Sequence, residues 1–214
     1  MNLKSDLYVP MVPIVKPIKG RRFEIVHHEL TEERLQFAKL RDAINSHRTP
    51  AADGQEAGTI VQLKDNDKGG VIVMSDTAME RATNIDLLCE AHGDVLIGGL
   101  GLGIVLLALQ KMETVTSITV VELHREIVDL VVPQLPLSKK CTIMMGDVFT
   151  WEPPIDTKYN TIYMDIWNDL CGDNYDEMKT LRQRYTKLLD NTDRGRWFGC
   201  WRYAETKQAH FKFK

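Results

Sequence analysis

The chain has 214 residues, of which 43% are hydrophobic and 27% are charged, and its formal net charge is -3. This length and composition are typical of about one ordinary domain with a substantial core. The slight negative charge gives no overall case for nucleic-acid binding, which usually needs a basic surface, so nucleic acid is not expected as a partner.

The sequence carries no signal for secretion, a membrane span or a metal centre. Its four cysteines are far apart, with no Cys-x-x-Cys pair and no histidine at zinc-ligand spacing. The N-terminal residues lack the apolar core of a signal peptide. The longest apolar run, residues 95–109, is interrupted by glycines and is short for a membrane span. We therefore expect a cytoplasmic protein with reduced thiols, no membrane association and no metal site.

Residues 1–58 are predicted to form an N-terminal arm, a helix and a linker. Three prolines and a basic cluster in 1–22 favour an extended, irregular and solvated arm. A helix is predicted over 30–45, with Thr31 as its N-cap. Small polar residues, proline and glycine over 47–58 are typical of a linker.

Residues 59–92 are predicted to form a β-hairpin and a lead-in helix. Two β-rich runs, 59–64 and 71–74, are separated by D-N-D-K-G-G, which is a turn sequence. A short helix is predicted over 84–91.

Residues 93–214 alternate between strand and helix signals, which predicts an α/β domain with a parallel sheet covered on both faces. The predicted strands are 95–97, 117–122, 141–145, 161–165 and 196–203. The predicted helices are 104–109, 125–132 and 174–190.

The central feature of this domain is a glycine turn between a buried strand and an apolar helix. Residues 94–103 read D-V-L-I-G-G-L-G-L-G, with glycine at Gly98, Gly99, Gly101 and Gly103. Such a turn lets the backbone approach a nucleotide-like ligand, because glycine has no Cβ and tolerates unusual dihedral angles.

An acidic residue stands at the end of each of three later strands. Glu122 follows Gly103 by nineteen residues, the spacing at which an acid binds ribose hydroxyls. Asp147 follows Gly146, where a carboxylate can meet an adenine amine or cap a turn. Asp165 ends the next strand. In parallel sheets these positions lie at one edge.

The spacing of the glycines excludes two common nucleotide motifs. The dinucleotide fingerprint needs glycine or alanine where Ile104 or Leu106 stands, and a P-loop needs Lys-Ser/Thr after Gly103. The turn itself has no cation for a pyrophosphate. The G-x-G-x-G pattern followed by three acids favours an adenosine ligand without phosphates.

Four motifs, in their order and spacing, resemble the successive motifs of class I S-adenosylmethionine-dependent methyltransferases: V-L-I-G-G-L-G-L-G, V-V-E-L, M-G-D-V and Y-M-D-I-W. The hairpin and short helix before them are similar to the spermidine-synthase-like branch. The resemblance covers about residues 59–203. It implies a Rossmann-like, mostly parallel sheet, shortened at the C-terminus, with a small N-terminal helix and hairpin extension. The terminal antiparallel strand pair of that fold would be missing, abbreviated or replaced by the hairpin.

The resemblance also implies a role for individual residues toward S-adenosylmethionine, with S-adenosylhomocysteine as the product. The glycines would lie against its methionine part and ribose, Glu122 would hold the ribose, and Asp147 with Val148 the adenine. The implied cofactor-binding residues are Gly98, Gly99, Leu100, Gly101, Gly103, Glu122, Leu123, Asp147, Val148 and Asp165. The backbone amides of Leu100 and Leu102, and not their side chains, would face the cofactor.

Asp165 is the candidate catalytic residue, either orienting or deprotonating the methyl acceptor. The predicted substrate-binding residues are Asp76, Glu80, Trp167 and Asp169, with Thr77 beside Asp76. Trp167 and Tyr175 are expected to wall the acceptor side or to belong to the core. Five acids and no Lys or Arg between Asp165 and Glu177 give a weak preference for a small amine acceptor. The same acids also suit a helix N-terminus.

Three hypotheses remain open from the sequence. The first is a methyltransferase acting on a small molecule. The second is an aminopropyltransferase, although D-I-W-N-D at 165–169 replaces the Asp-Ser-Ser-Asp signature of that class. The third is a non-catalytic binding or scaffold protein. The hairpin is compatible with a homodimer.

Overall fold

The computed structural model of the chain describes residues 5–44 and 55–212 and arranges them as two β-sheets with helices. The strands are β1 (Ile18–Lys19), β2 (Phe23–Leu30), β3 (Gly58–Asp65), β4 (Val71–Ser75), β5 (Gly93–Gly98), β6 (Val115–Glu122), β7 (Cys141–Met145), β8 (Thr161–Met164) and β9 (Trp197–Cys200). The α-helices are α1 (Glu32–Ile44), α2 (Ala78–Thr83), α3 (Ile85–Glu90), α4 (Ile104–Leu109), α5 (Arg125–Val131), α6 (Asn174–Thr186) and α7 (Tyr203–Lys212).

Strands β5 to β9 form a five-stranded sheet in the order β7-β6-β5-β8-β9, and all four pairings are parallel. Its central strand is apolar on both faces, because Val95, Leu96 and Ile97 are all buried. The α/β class is therefore confirmed. The strand order reverses between β5 and β8, and ligands of such sheets bind at the carboxyl ends beside this reversal.

Strands β1 to β4 form a separate antiparallel sheet in chain order. The predicted hairpin is confirmed as β3 and β4, whose turn is held by the Asp65 side chain accepting from the Asp67 N–H. Strand β2 was not predicted, because the sequence F-E-I-V-H-H-E-L has no clean alternation. It is a strand because it pairs with β3 along its whole length.

The hairpin does not replace the terminal strand pair of the parallel sheet, because it belongs to the other sheet. The predicted strand 196–203 is too long, since β9 ends at Cys200 and a helix that was not predicted, α7, begins at Tyr203. Burial of Phe198 and Cys200, which are two residues apart, follows the strand period, and the pairing with β8 ends at Cys200.

The N-terminal segment is largely irregular, as predicted, but it is not simply a solvated arm. Met11 and Val15 are fully buried, and the Met11 N–H donates to Asp76 Oδ2 at 3.3 Å. The Val15 carbonyl lies 2.8 Å from Nε2 of His27 on β2. Apolar side chains between the prolines therefore fix this segment to the antiparallel sheet.

The helical predictions differ from the structure mainly at their ends. Helix α1 begins one residue after Thr31, whose side chain accepts from the Arg34 N–H and caps it as predicted. The lead-in region contains two helices, since α2 was not predicted and precedes α3. Helix α6 ends at Thr186, four residues before the predicted end. The predicted linker lies mostly outside the described residues.

Of the helices in the described part of the chain, none has both the length and the apolar character that a membrane span requires.

His92, just before β5, joins three segments at the amino ends of the strands. Its Nε2 lies 2.7 Å from Asp193 Oδ2, and its Nδ1 lies 2.8 Å from the Glu90 carbonyl oxygen. Both partners are acceptors, so this geometry suits the doubly protonated ring. The hydrogen bond to the Glu90 carbonyl, with help from Asp193, raises the pKa of His92. Hydrogen bonds from Asn160 and His92 lower the pKa of Asp193 to about 2.

We expect Asp193→Asn to lower the melting temperature more at about pH 6 than at about pH 9. A raised histidine pKa gives stability that is present at low pH and is lost as the pH rises through that pKa. Thermal unfolding followed by circular dichroism measures both differences. The control is Asp190→Asn, which removes a carboxylate bound by Thr192 in the same loop and should act equally at both pH values. Equal effects of Asp193→Asn at both pH values would contradict the ion pair.

Candidate functional site

The glycine turn brings the carboxyl ends of three strands together. The Gly99 N–H donates to the Val121 carbonyl of β6, and the Asp165 N–H donates to the Gly98 carbonyl of β5. Gly99, Gly101 and Gly103 have φ angles of +95°, +52° and +76°. A Cβ at Gly99 would lie 2.2 Å from the Asp165 backbone oxygen, so no other residue fits there.

The residues between these glycines face the core. The side chains of Leu100 and Leu102 are buried, as expected if their amides point the other way. Those amides, however, have protein partners. The Leu100 N–H donates to Glu122 Oε2 at 2.8 Å, and the Leu102 N–H points to Met74 Sδ at 3.2 Å. The amides therefore organise the turn itself in this structure.

A cavity of about 320 Å³ lies over this edge of the sheet, within the usual size range of ligand sites. It brings together most of the residues predicted for the site. Those that border it are Glu80, Gly99, Gly101, Glu122, Leu123, Asp147, Val148, Asp165 and Trp167. Gly98, Leu100 and Gly103 belong to the turn but are not among the residues that border the cavity.

Two of the three strand-end acids are held by backbone amides. Glu122 is buried, and its Oε1 accepts from the His124 N–H at 2.8 Å while its Oε2 binds Leu100. Asp147 Oδ1 accepts from the Phe149 N–H at 2.9 Å. Each carboxylate oxygen can accept more than one hydrogen bond, so both acids keep acceptor capacity, and both border the cavity.

The third acid, Asp165, borders the cavity together with Glu80, and both residues are partly buried. Asp165 Oδ2 is buried and has no hydrogen-bond partner among the described residues. Burial raises the pKa of Asp165 to about 7. Burial, followed by the negative charge of Asp165, raises the pKa of Glu80 to about 8, and the positive charge of Arg202 opposes this. The two residues come from α2 and from the end of β8, and only the fold makes them neighbours.

The other ionisable side chains around this pair are neutral or already engaged. Tyr8 donates to the Arg81 carbonyl at 3.0 Å, and Tyr163 donates to Asn84 Oδ1 at 2.8 Å. Burial raises the pKa of both tyrosines, and it raises the pKa of Cys200 to about 12. The pair therefore lies among groups that carry no negative charge at neutral pH.

Three predicted substrate residues have other surroundings. Asp76 Oδ1 accepts from the Val61 N–H at 2.7 Å and Oδ2 from the Met11 N–H, so both oxygens hold the backbone. Asp76 borders a separate cavity of about 330 Å³. This geometry favours a structural role for Asp76. Asp169 is exposed and does not border the site cavity. Tyr175 packs against Tyr203 and aromatic rings of α7, away from the cavity.

None of the four acids that follow Asp165 in this run borders the cavity. Glu177 Oε2 accepts from Trp167 Nε1 at 2.7 Å, which holds this indole at the cavity. Asp176 lies 2.7 Å from Lys179 Nζ. These acids therefore give no support to the predicted amine acceptor, and other carboxylates border the cavity.

Several cavity residues were missed because they come from the antiparallel sheet. Arg22, Phe23, Lys68 and Met74 border the cavity from that side. Arg22 donates two hydrogen bonds to Asp65, at 3.0 and 2.7 Å. No local pattern marks these residues, because they meet the glycine turn only through the packing of one sheet over the other.

Among the residues that the structure describes, no three His, Cys, Asp or Glu side chains converge as a metal site.

No protein-family model and no curated protein sequence matches the chain. Its fold is similar to that of several solved methyltransferases. The CcbJ methyltransferase of Streptomyces caelestis is 18% identical, with a TM-score of 0.42 over 51% of this chain and 44% of that one. The N-methyltransferase NodS of Bradyrhizobium japonicum WM9, solved with S-adenosylhomocysteine, is 14% identical, with a TM-score of 0.41 over 54% and 59%.

A third similar structure is S-adenosylmethionine-bound CalS10, an amino pentose methyltransferase of Micromonospora echinaspora. It is 17% identical, with a TM-score of 0.36 over 51% of this chain and 42% of that one. The chain thus spans about half the length of the solved structures that it matches.

We expect Gly99→Ala to destabilise the protein more than Gly101→Ala. A Cβ at Gly99 meets an immobile backbone oxygen, whereas at Gly101 it meets the flexible end of Met74. The left-handed backbone alone costs about 1–2 kcal/mol at either position. Urea denaturation should therefore give a loss of about 3 kcal/mol or more for Gly99→Ala and about half that for Gly101→Ala. Equal losses would contradict the close approach of the turn to β8.

We expect the free energy of unfolding to fall as the pH rises from about 5 to 8. The folded state holds protons on Glu80 and Asp165 that the unfolded chain has already released, because both pKa values are raised. Glu80→Gln should flatten this slope and increase stability at about pH 8 by about 1–3 kcal/mol. Urea denaturation at several pH values measures this.

The matched control for that prediction is Glu113→Gln, which neutralises an exposed glutamate away from the cavity. It should leave the slope of the wild-type protein unchanged. A Glu80→Gln variant with the same slope as the wild type would contradict the buried acid pair.

Proposed function

We propose that this protein is an S-adenosylmethionine-dependent methyltransferase that acts on a small-molecule acceptor. The observation that carries the proposal is the convergence of the glycine turn with Glu122, Asp147 and Asp165 around one cavity. This is the arrangement that the motif resemblance implies. Placement in the spermidine-synthase-like branch stays a prediction.

The charges around the cavity support a cationic adenosine ligand over a nucleotide with phosphates. Five acids border it: Asp65, Glu80, Glu122, Asp147 and Asp165. The lysine and arginine residues that border it are Lys68 and Arg22, and Arg22 is bound by Asp65. A pyrophosphate would meet a surplus of negative charge here, whereas a positively charged ligand would reduce the mutual repulsion of the acids.

The residues present fit S-adenosylmethionine in three respects. Gly99 and Gly101 have no Cβ, so backbone lies at the cavity there. Glu122 and Asp147 keep acceptor capacity for ribose and adenine. Asp165 has a buried carboxylate oxygen without a partner among the described residues. When bound, the cofactor supplies a methyl group on positively charged sulfur. That carboxylate oxygen suits a positive charge.

The contribution of the protein is then mainly positioning. Trp167, fixed by its hydrogen bond to Glu177, and the neighbouring Ile166 border the cavity and can align an acceptor and limit water. Holding two reactants in the correct geometry can be worth about 7–11 kcal/mol of the barrier. Asp165 is the residue that we propose to orient the acceptor or to accept its proton.

Titration calorimetry with S-adenosylmethionine and S-adenosylhomocysteine tests the proposal. We expect the 214-residue chain to bind both ligands. Gly101→Val should weaken binding by more than about tenfold, because the added side chain would displace Met74, which borders the cavity. The matched control is Gly70→Val, which introduces the same side chain at a left-handed glycine with open space around it. No binding by the wild-type protein, or equal binding by Gly101→Val, would overturn the proposal.

A further inference from the structure

The acid pair Glu80–Asp165 is the most unusual electrostatic feature of the described residues. Its two carboxyl groups come from separate parts of the chain and border the same cavity. Both residues are partly buried. Two neighbouring acids repel each other when both are ionised, and each is stabilised less by water than an exposed acid. Such a pair needs either a shared proton or a positively charged partner.

The nearby arginines bind other acceptors, and only Arg202 also acts on the pair, through a positive charge that lowers the pKa of Glu80. The Arg81 guanidinium donates to the Asp76 carbonyl at 2.9 Å and lies 3.9 Å from Asp76 Oδ2. The Arg202 Nε donates to Glu205 Oε1 at 3.2 Å. Asp165 Oδ2 remains buried without a partner. The part of the cavity beside Glu80 and Asp165 therefore has two acids and one carboxylate oxygen without a hydrogen-bond donor.

We propose that Glu80 and Asp165 bind the protonated amino group of the methyl acceptor, so that the acceptor class is an aliphatic amine; this rests on the proposed methyltransferase function. An ammonium group offers both the positive charge and the N–H donors that Asp165 lacks. A neutral hydroxyl acceptor would supply a donor but no positive charge, so the pair would keep its proton.

Binding of an ammonium group has a consequence for protons. Near neutral pH the pair holds a proton, because both pKa values are raised by burial. An arriving cation favours the ionised form of the pair, so an O–H bond of the carboxyl group breaks and its proton passes to the solvent. The N–H bonds of the ammonium group stay intact on binding. Methyl transfer needs the nitrogen lone pair, so one N–H bond then breaks and its proton passes to the ionised pair. Amine affinity should therefore rise between about pH 6.5 and 8.5.

The other ionisable groups that face the pair do not account for such a dependence. They are Tyr8 from the N-terminal segment, Arg81 on α2, Tyr163 on β8, Cys200 on β9 and Arg202 after it. The tyrosines and the cysteine have raised pKa values and stay neutral over this range, and the arginines stay charged.

The test measures n-butylamine binding to the 214-residue chain by titration calorimetry, with 1-butanol as the neutral isostere. Titrations are made with and without saturating S-adenosylhomocysteine and in buffers of different ionisation enthalpy. We expect the amine to bind at least about tenfold more tightly than the alcohol, to bind more tightly at the higher pH, and to release a proton. These comparisons need no variant.

Glu80→Gln and Asp165→Asn should each weaken amine binding by about tenfold or more and should remove the proton release. The matched controls are Glu113→Gln and Asp86→Asn, both at exposed acids that do not border the cavity, and both should bind as the wild type does. Circular dichroism establishes that each variant is folded.

The outcomes separate this inference from the proposed function. Equal binding of amine and alcohol, or unchanged amine binding by the two pair variants, overturns the amine assignment, while binding of S-adenosylhomocysteine keeps the methyltransferase proposal. If the two variants instead weaken only S-adenosylmethionine, the pair serves the sulfonium of the cofactor and the amine assignment is wrong. Absence of S-adenosylhomocysteine binding overturns the proposed function and the acceptor assignment with it.

Discussion

The site depends on the close approach of the glycine turn to the end of β8. At Gly99 there is no room for a side chain between the turn and the Asp165 backbone oxygen, and the Asp165 N–H is bound by the Gly98 carbonyl. This contact fixes Asp165 beside the turn. The Leu100 amide binds Glu122 and fixes the end of β6 in the same way. Because these contacts are made by the backbone, the acids are held in place before any ligand arrives.

The antiparallel sheet completes the site that the parallel sheet begins. Its strands supply Phe23 and Met74, and α2 supplies Glu80 to a position near Asp165. The N-terminal segment supports this layer through Met11, whose amide binds Asp76. Asp76 is thus part of the support for the layer that carries Glu80. An acidic residue in a motif can hold the backbone as readily as it can hold a substrate.

Negative charge is distributed unevenly over the cavity. Glu122 and Asp147 are stabilised by amide donors, whereas Asp165 has a buried oxygen without a partner and Glu80 has a raised pKa. Acids that are stabilised by the protein are suited to neutral hydroxyl or amine donors. Acids without such amide donors are suited to a positively charged group. This contrast separates a region for the nucleoside from a region for cationic groups.

The sequence by itself determined the parallel core and the strand-end acids. The buried part of strand 93–98 and the buried helix 104–109 are marked by local apolar runs, and glycine spacing marks the turn. Only the tertiary structure decided that β2 is a strand, that 203–212 is a helix, and that Glu80 meets Asp165. The local sequence pattern indicates which face of an element is apolar. Pairing between strands and contact between two acids depend on residues that are far apart in the chain.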